Sequence, residues 1–221
     1  ADRNAWWHWA TTYAIRRATF FTSDCEATRR KAIAFGIPEN RTVVFPWGVD
    51  LQCFSPVAQP SRVPNRSSFI LLCNRSWEPR YGVDVLAKAF VKAASQRPEF
   101  KLILLGNGSQ SAQIRQILLR GGVEERVTLA GQIPQADLPR YYRMADLFIS
   151  PSHIDGSSVS LMEALACGLP SLVSDIPANR EWVTDGRNGW LFPDGDADAL
   201  AAVLLRICDQ HEELARIGRA A

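Results

Sequence analysis

From Ser68 onward, short apolar runs alternate along the chain with longer stretches of helical period. The apolar runs fall at residues 69–73, 102–105, 127–129, 147–149 and 171–173. They are continuous, which is how a strand reads when helices cover both of its faces. Helical patterns lie near 82–95, 110–120, 135–144, 157–167 and 197–217. This alternation builds right-handed βαβ units and predicts an α/β fold, a doubly wound parallel sheet of Rossmann-like form.

Residues 1–57 follow a different pattern. They predict a Trp-rich helix (Trp6, Trp7, Trp9, Tyr13), a strand at 18–21, a helix behind a Ser23-Asp24 cap and a strand at 42–45. Pro56, Pro60 and Pro64, among Ser and Asn, then give residues 56–67 the composition of a linker. The expected organisation is a short α/β piece at 1–57, a linker at 58–67 and a complete α/β domain at 68–221. Two strands do not bury a pair of helices, so the first piece is expected to be the end of a domain whose beginning is absent.

Charge and composition then narrow the function. A net charge of +2 gives no global pull toward nucleic acid. The five cysteines, Cys25, Cys53, Cys73, Cys167 and Cys208, are odd in number and form no C-x-x-C pair. They read as reduced thiols of a cytoplasmic protein, with neither a disulfide framework nor a zinc site. His8, His153 and His211 lack metal-ligand spacing, so no metal and no cofactor is expected. Trp6, Trp7 and Trp9 with Arg16 and Arg17 fit two readings, a packed core or a peripheral contact at the inner face of a membrane.

In open α/β sheets ligands sit beyond the carboxyl ends of the strands, so the loops there hold the candidate chemistry. After residues 69–73 comes a turn with Asn74, Arg75, Arg80 and Tyr81; the next strands lead into Gly106-Asn107-Gly108 and Gly131-Gln132-Ile133. The fourth loop, Asp155-Gly156-Ser157-Ser158, runs into an apolar helix that starts at Val159 and is closed by Gly168. Amides at a helix N-terminus beside Gly and Ser make an anion site suited to phosphate. Glu163 sits in that helix among Met162, Ala164 and Leu165, where a buried carboxylate needs a hydrogen-bonding partner. A ribose diol and a structural arginine are both candidates. Asp155 also fits a simple turn former, and Arg80 a solvated surface residue. Gly106-x-Gly108 lacks the rest of a dinucleotide fingerprint. Asp194-Gly195-Asp196 and Asp196-Ala197-Asp198 read as helix capping rather than a metal pair.

The spacing Asp155-x7-Glu163, followed by Ala164-Leu165-Ala166-Cys167-Gly168-Leu169-Pro170, resembles the signature of the group 1 (family 4) retaining glycosyltransferases of GT-B architecture. Further matches are Pro46-Trp47-Gly48-Val49-Asp50, Tyr81-Gly82-Val83-Asp84, Ala145-Asp146-Leu147-Phe148 and Asn188-Gly189-Trp190-Leu191-Phe192-Pro193. The resemblance implies an N-terminal acceptor domain and a C-terminal domain that binds a nucleoside-diphosphate sugar. It implies Glu163 on the ribose and Asp155 facing the sugar. Gly156, Ser157, Ser158 and Val159 would stand at the sugar and diphosphate. Arg75 would meet the leaving diphosphate, with Arg80, Gly106 and Gly108 around it, and Gln132 and Ile133 would line the base. The implied reaction moves a sugar from a UDP- or GDP-sugar to a glycan or lipid-linked acceptor with retention. Charge growing on the diphosphate would be met by fixed amides and a forked guanidinium. Two departures stand out: Asp155 replaces the usual Glu, and the lysine usual after the phosphate-binding arginine is missing, leaving Arg80 as its candidate stand-in. By itself the chain is expected to bind donor without turnover. Two other readings are a non-catalytic nucleotide-sugar-binding module and a sugar-nucleotide epimerase of the same architecture.

Overall fold

The computed structural model describes residues 3–56 and 68–220, so the expected linker at 58–67 lies outside the described residues. The chain divides into two compact units, Ala1–Gly48 and Val49–Ala221.

In the first unit, α1 (Arg3–Arg17) precedes β1 (Phe21–Ser23), α2 (Glu26–Ala34) and β2 (Thr42–Val44), and β1 pairs with β2 in parallel. Two expectations shift here. The strand begins at Phe21 instead of 18, and α2 is capped by Cys25 instead of Ser23-Asp24. Ser23 is drawn into the strand and its Oγ donates to the Cys25 carbonyl at 3.1 Å, while Cys25 Sγ accepts from Thr28 N at 3.4 Å. Trp6, Trp7 and Trp9 are 56%, 58% and 61% exposed, so they do not form a core within the described residues.

The second unit carries β3 (Phe69–Cys73), α3 (Val83–Gln96), β4 (Phe100–Leu105), α4 (Ser111–Arg120), β5 (Val127–Gly131), α5 (Leu138–Met144), β6 (Leu147–Ser150), α6 (Val159–Ala166), β7 (Ser171–Ser174), β8 (Trp190–Phe192), α7 (Ala197–Cys208) and α8 (His211–Ala220). Its six strands lie in the order β5-β4-β3-β6-β7-β8, and every pair is parallel. This is the doubly wound α/β fold that the apolar runs predict. Neighbouring residues along each strand feed opposite cores: Leu71, Leu104 and Leu147 pack on one side, Leu72, Ile103 and Phe148 on the other. That division is why the runs are continuous, since each strand is apolar on both faces. Fully burying one such side chain stabilises the fold by about 1.5–3 kcal/mol.

Three differences from the sequence reading have local causes. The strand β8 is only three residues long, bounded by Gly189 and Pro193, and so gives no apolar run of its own. The helix expected at 197–217 breaks at Asp209, where Gln210 N turns back onto the Ile207 carbonyl at 2.9 Å and Asp209 pairs with Arg97. Residues 49–56, placed with the first piece by sequence, belong to the second unit. There Phe54 packs edge-on against Tyr142, with ring centroids 5.9 Å apart, and Arg143 Nη2 donates to the Cys53 carbonyl at 2.7 Å.

Sheet order reverses between β3 and β6, and this junction is pinned from one residue. Asp146 N donates to the Ile70 carbonyl and Asp146 Oδ2 accepts from Ile70 N, each at 2.8 Å. The loops after the two strands then meet at Gly82. It has φ +60°, and a Cβ there would lie 2.2 Å from the Pro151 carbonyl oxygen. Gly82→Ala is therefore expected to destabilise the unit by about 2 kcal/mol or more, from the left-handed backbone and the clash together. Urea unfolding followed by circular dichroism measures this, and an unchanged midpoint refutes it.

Candidate functional site

Because all six strands run parallel, the loops after β3, β4, β5 and β6 open on one rim. The crevice of such a sheet lies where strand order reverses, here between β3 and β6. Arg75 leaves the end of β3 and is only 9% exposed. Its Nη2 donates to Asp155 Oδ2 at 2.6 Å, and its Nη1 donates to Ser158 Oγ at 2.8 Å and to Ser160 Oγ at 2.7 Å. A guanidinium held so far from water is tolerated because it is paired and hydrogen-bonded. Ser158 also caps α6, its Oγ accepting from Leu161 N at 3.4 Å. The structure thus joins Arg75, Asp155 and Ser158 across 80 residues of sequence and adds Ser160, which the sequence reading left out.

The neighbouring loop owes its path to close backbone approach. Gly106 has φ +94°, and a Cβ on it would meet the Arg75 carbonyl oxygen at 2.9 Å; one on Gly108 would meet the Trp77 carbonyl at 2.5 Å. Both glycines therefore let the loop after β4 press on the segment that carries Arg75. Buried Trp77 locks that segment, donating from Nε1 to the Leu105 carbonyl at 3.1 Å. Tyr81 faces two cations, with Arg75 Cζ 4.4 Å and Arg80 Cζ 4.6 Å from its ring centroid. Arg80 is exposed, so it lies beside the cluster through Tyr81 and not within it.

Glu163 projects from the second turn of α6 and is 4% exposed. Its partner is neither an arginine nor a serine. Tyr142 Oη donates to Glu163 Oε2 at 2.7 Å, and Asn74 Nδ2 donates to Tyr142 Oη at 2.7 Å. Burial pushes the Glu163 carboxyl above the usual glutamate range, and the bond from Tyr142 draws it part of the way back. Burial, reinforced by the Glu163 charge, holds the Tyr142 phenol well above its ordinary value, so it remains a donor.

The remaining candidates are spread along the rim. Gly156 N donates to Asp155 Oδ1 at 3.1 Å, so Asp155 shapes its own turn as well as pairing with Arg75. Ser157 is buried and Val159 is 38% exposed at the head of α6. Gln132 is exposed beyond β5, and Ile133 is half-buried against the second core. The Asp-x-Asp segments engage protein groups. Asp196 Oδ1 accepts from Asp198 N and Ala199 N at 2.9 Å each, capping α7, and Asp194 pairs with His153 at 2.6 Å. Among the described residues no group of three or more His, Cys, Asp or Glu is placed to hold a metal ion. Among them too, no helix is long and apolar enough to cross a membrane.

Residues 58–221 match the family of glycosyl transferases group 1. The chain belongs to that family. The amylovoran biosynthesis glycosyltransferase AmsK of Erwinia amylovora is 34% identical over 190 residues, covering 81% of this chain and 45% of that protein. A phosphatidyl-myo-inositol mannosyltransferase of Mycolicibacterium smegmatis is 31% identical over 172 residues, covering 77% of this chain and 44% of that one. The chain therefore spans about half the length of the relatives it matches. HepE of Anabaena, solved in complex with UDP-glucose, has a TM-score of 0.84 at 21% identity, covering 96% of this chain and 61% of the other, a likeness of fold.

In this group 1 chain the acidic pair was legible in sequence and its partners were not. Tyr142 left one usable signal: a tyrosine on the inward face of a short helix must place its hydroxyl on a partner. Ser160 left another, the Ser157-Ser158-x-Ser160 pattern at a helix start.

The raised carboxyl of Glu163 has a consequence for stability. A carboxyl whose folded pKa exceeds its unfolded value stabilises the fold below the ordinary glutamate range, and that contribution is lost as pH rises through the raised value. Glu163→Gln removes this loss. Its melting temperature relative to the parent chain should therefore climb as pH rises from the ordinary glutamate range through the raised value. A difference that stays flat across that range refutes the assignment.

Proposed function

We propose that the protein transfers a sugar from a nucleoside-diphosphate donor to a glycan or lipid-linked acceptor, with retention at the anomeric carbon. The observation that carries this reading is the Arg75 cluster at the head of α6, with buried Glu163 one turn further along the same helix. A diphosphate fits the first feature: the guanidinium, two serine hydroxyls and a helix N-terminus all stabilise negative charge. A ribose fits the second, since a carboxylate accepts from two vicinal hydroxyls.

Charge builds on the diphosphate as the glycosidic bond breaks, and the groups that hold it are already oriented by Asp155, Ser158 and Ser160. Stabilisation by fixed dipoles and charges of this kind lowers a barrier without reorganisation at the moment of reaction. Asp155 then has two duties, holding Arg75 and bordering the sugar. Both UDP- and GDP-sugars are candidate donors. HepE is solved with UDP-glucose, and a Corynebacterium glutamicum relative is a GDP-mannose-dependent mannosyltransferase, 26% identical over 189 residues. The acceptor class follows the same relatives, one named for amylovoran biosynthesis and others for phosphatidylinositol glycolipids. The donor loops after β3 to β6 would accept the nucleotide sugar, with Gln132 and Ile133 beside the base.

Thermal-shift titration with UDP and GDP tests the site. One nucleotide at about a hundred times its Kd should stabilise the chain by about 2.7 kcal/mol. Glu163→Ala and Arg75→Ala should each abolish most of that gain. If neither nucleotide shifts the melting curve, the donor assignment fails. Proton magnetic resonance of the first transfer product reads the anomeric configuration, and an inverted product ends the claim of retention. A donor whose sugar is converted without any acceptor would reassign the chain to epimerisation.

A further inference from the structure

Tyr142 is a buried polar side chain with no part in the reading above. It is 1% exposed and sits between Phe54 and Phe148, its ring centroid 5.9 Å from each. Its hydroxyl has one hydrogen to give and is approached by one donor, Asn74 Nδ2, at 2.7 Å. With that lone pair engaged, the hydrogen points to Glu163 Oε2 at 2.7 Å; the Ser160 carbonyl, at 3.1 Å, is the weaker acceptor. Asn74 Oδ1 is buried with no hydrogen-bond partner among the described residues, and with Nδ2 turned to the phenol the run from Asn74 through Tyr142 to Glu163 has a direction. It is set at the end of β3, in the residue next to Arg75. Were the Asn74 amide turned over, Oδ1 would take the phenol hydrogen and Glu163 would face only oxygen lone pairs.

The bond also fixes geometry. Holding the carboxylate by Oε2 stops rotation about its terminal bond and so sets where Oε1 points. A carboxylate that rotates freely meets two adjacent hydroxyls in only some of its orientations, and ordering it on binding lowers affinity. Three elements contribute to the restraint: β3 through Asn74, α5 through Tyr142 and α6 through Glu163 itself.

We propose that Tyr142, oriented by Asn74, is a positioning residue that aims Glu163 at the vicinal hydroxyls of the nucleotide ribose. It thereby sets the preference for ribose over a sugar lacking those hydroxyls. This rests on Glu163 as the ribose contact. Tyr142→Phe is the sharp test, because the ring that fills the core is kept and only the hydroxyl is lost.

The chain is titrated calorimetrically with UDP and GDP and with their 2′,3′-dideoxy counterparts, in the parent, Tyr142→Phe and Glu163→Gln forms. In Tyr142→Phe the preference for the ribonucleotide should fall about tenfold. Affinity for the dideoxy nucleotide should stay near that of the parent. If Glu163→Gln loses the preference and Tyr142→Phe retains it, the positioning role is overturned and the ribose contact stands. If Glu163→Gln retains it, or the parent shows none, the ribose contact itself is wrong and the inference falls with it. Equal weakening of both nucleotides in Tyr142→Phe shows that the side chain only packs, which also overturns the proposal.

Discussion

The second unit depends on one buried ion pair placed where its sheet changes direction. Arg75 follows β3 and Asp155 follows β6, the two strands whose separation opens the crevice. At 2.6 Å, with side chains 10% and 13% exposed, the pair stands largely out of water. Desolvation of two charges is offset only when their geometry is good and their other groups are satisfied. Ser158 and Ser160 satisfy Nη1 of the guanidinium, while Nε is buried with no hydrogen-bond partner among the described residues; Ser158 at the same time caps α6. The pair thus fixes the loop, the loop starts the helix, and the helix carries Glu163. Asp146, bonded twice to Ile70, sets the register of the strands from which the chain of constraints begins.

What could be read without the structure follows from how local each signal is. Strands of four to six residues buried on both faces announce themselves as apolar runs, and β3, β4 and β6 stand where the runs predict. The strand β8 does not, because three residues between a glycine and a proline carry no period. Helix ends are harder still. The cap of α2 went to a cysteine thiol once Ser23 was taken by the strand, a competition that propensities cannot resolve. At the candidate site the residue types were legible from their loops, but their pairings were not. Arg75 meets Ser160 85 residues along the chain, and Tyr142 meets Glu163 across two helices. Such contacts are set by strand order and crossing geometry, which short-range pattern does not encode.

The charged side chains buried in this unit, Arg75 and Glu163 among the described residues, are concentrated at one place. Leu71, Leu104, Phe90 and Trp190 on one side of the sheet, and Leu72, Phe148 and Val173 on the other, build ordinary apolar cores. Arg75, Ser158, Ser160 and Glu163, by contrast, gather where β3 and β6 deliver their loops. Conflicts with simple burial rules confined to one rim of a sheet are the usual mark of a site rather than of a core. Trp77 and the close approach at Gly106 show the apolar scaffold supporting that rim, since both act on the backbone that carries Arg75.

The two acids, with seven residues between them, are treated in opposite ways. Asp155 is given a full cation, so its charge is cancelled where it stands. Glu163 is given a phenol, itself held by an amide, so its charge is hydrogen-bonded but not neutralised. A carboxylate kept without a countercharge pays for its burial through a raised pKa, and it keeps its capacity to accept from neutral hydroxyls. Had an arginine been its partner, the carboxylate would have been more stable and its oxygens would have been engaged by a competing cation. The difference between the two acids therefore lies less in their spacing than in their donors: one holds a cation in place, and the other is left able to accept from hydroxyl groups.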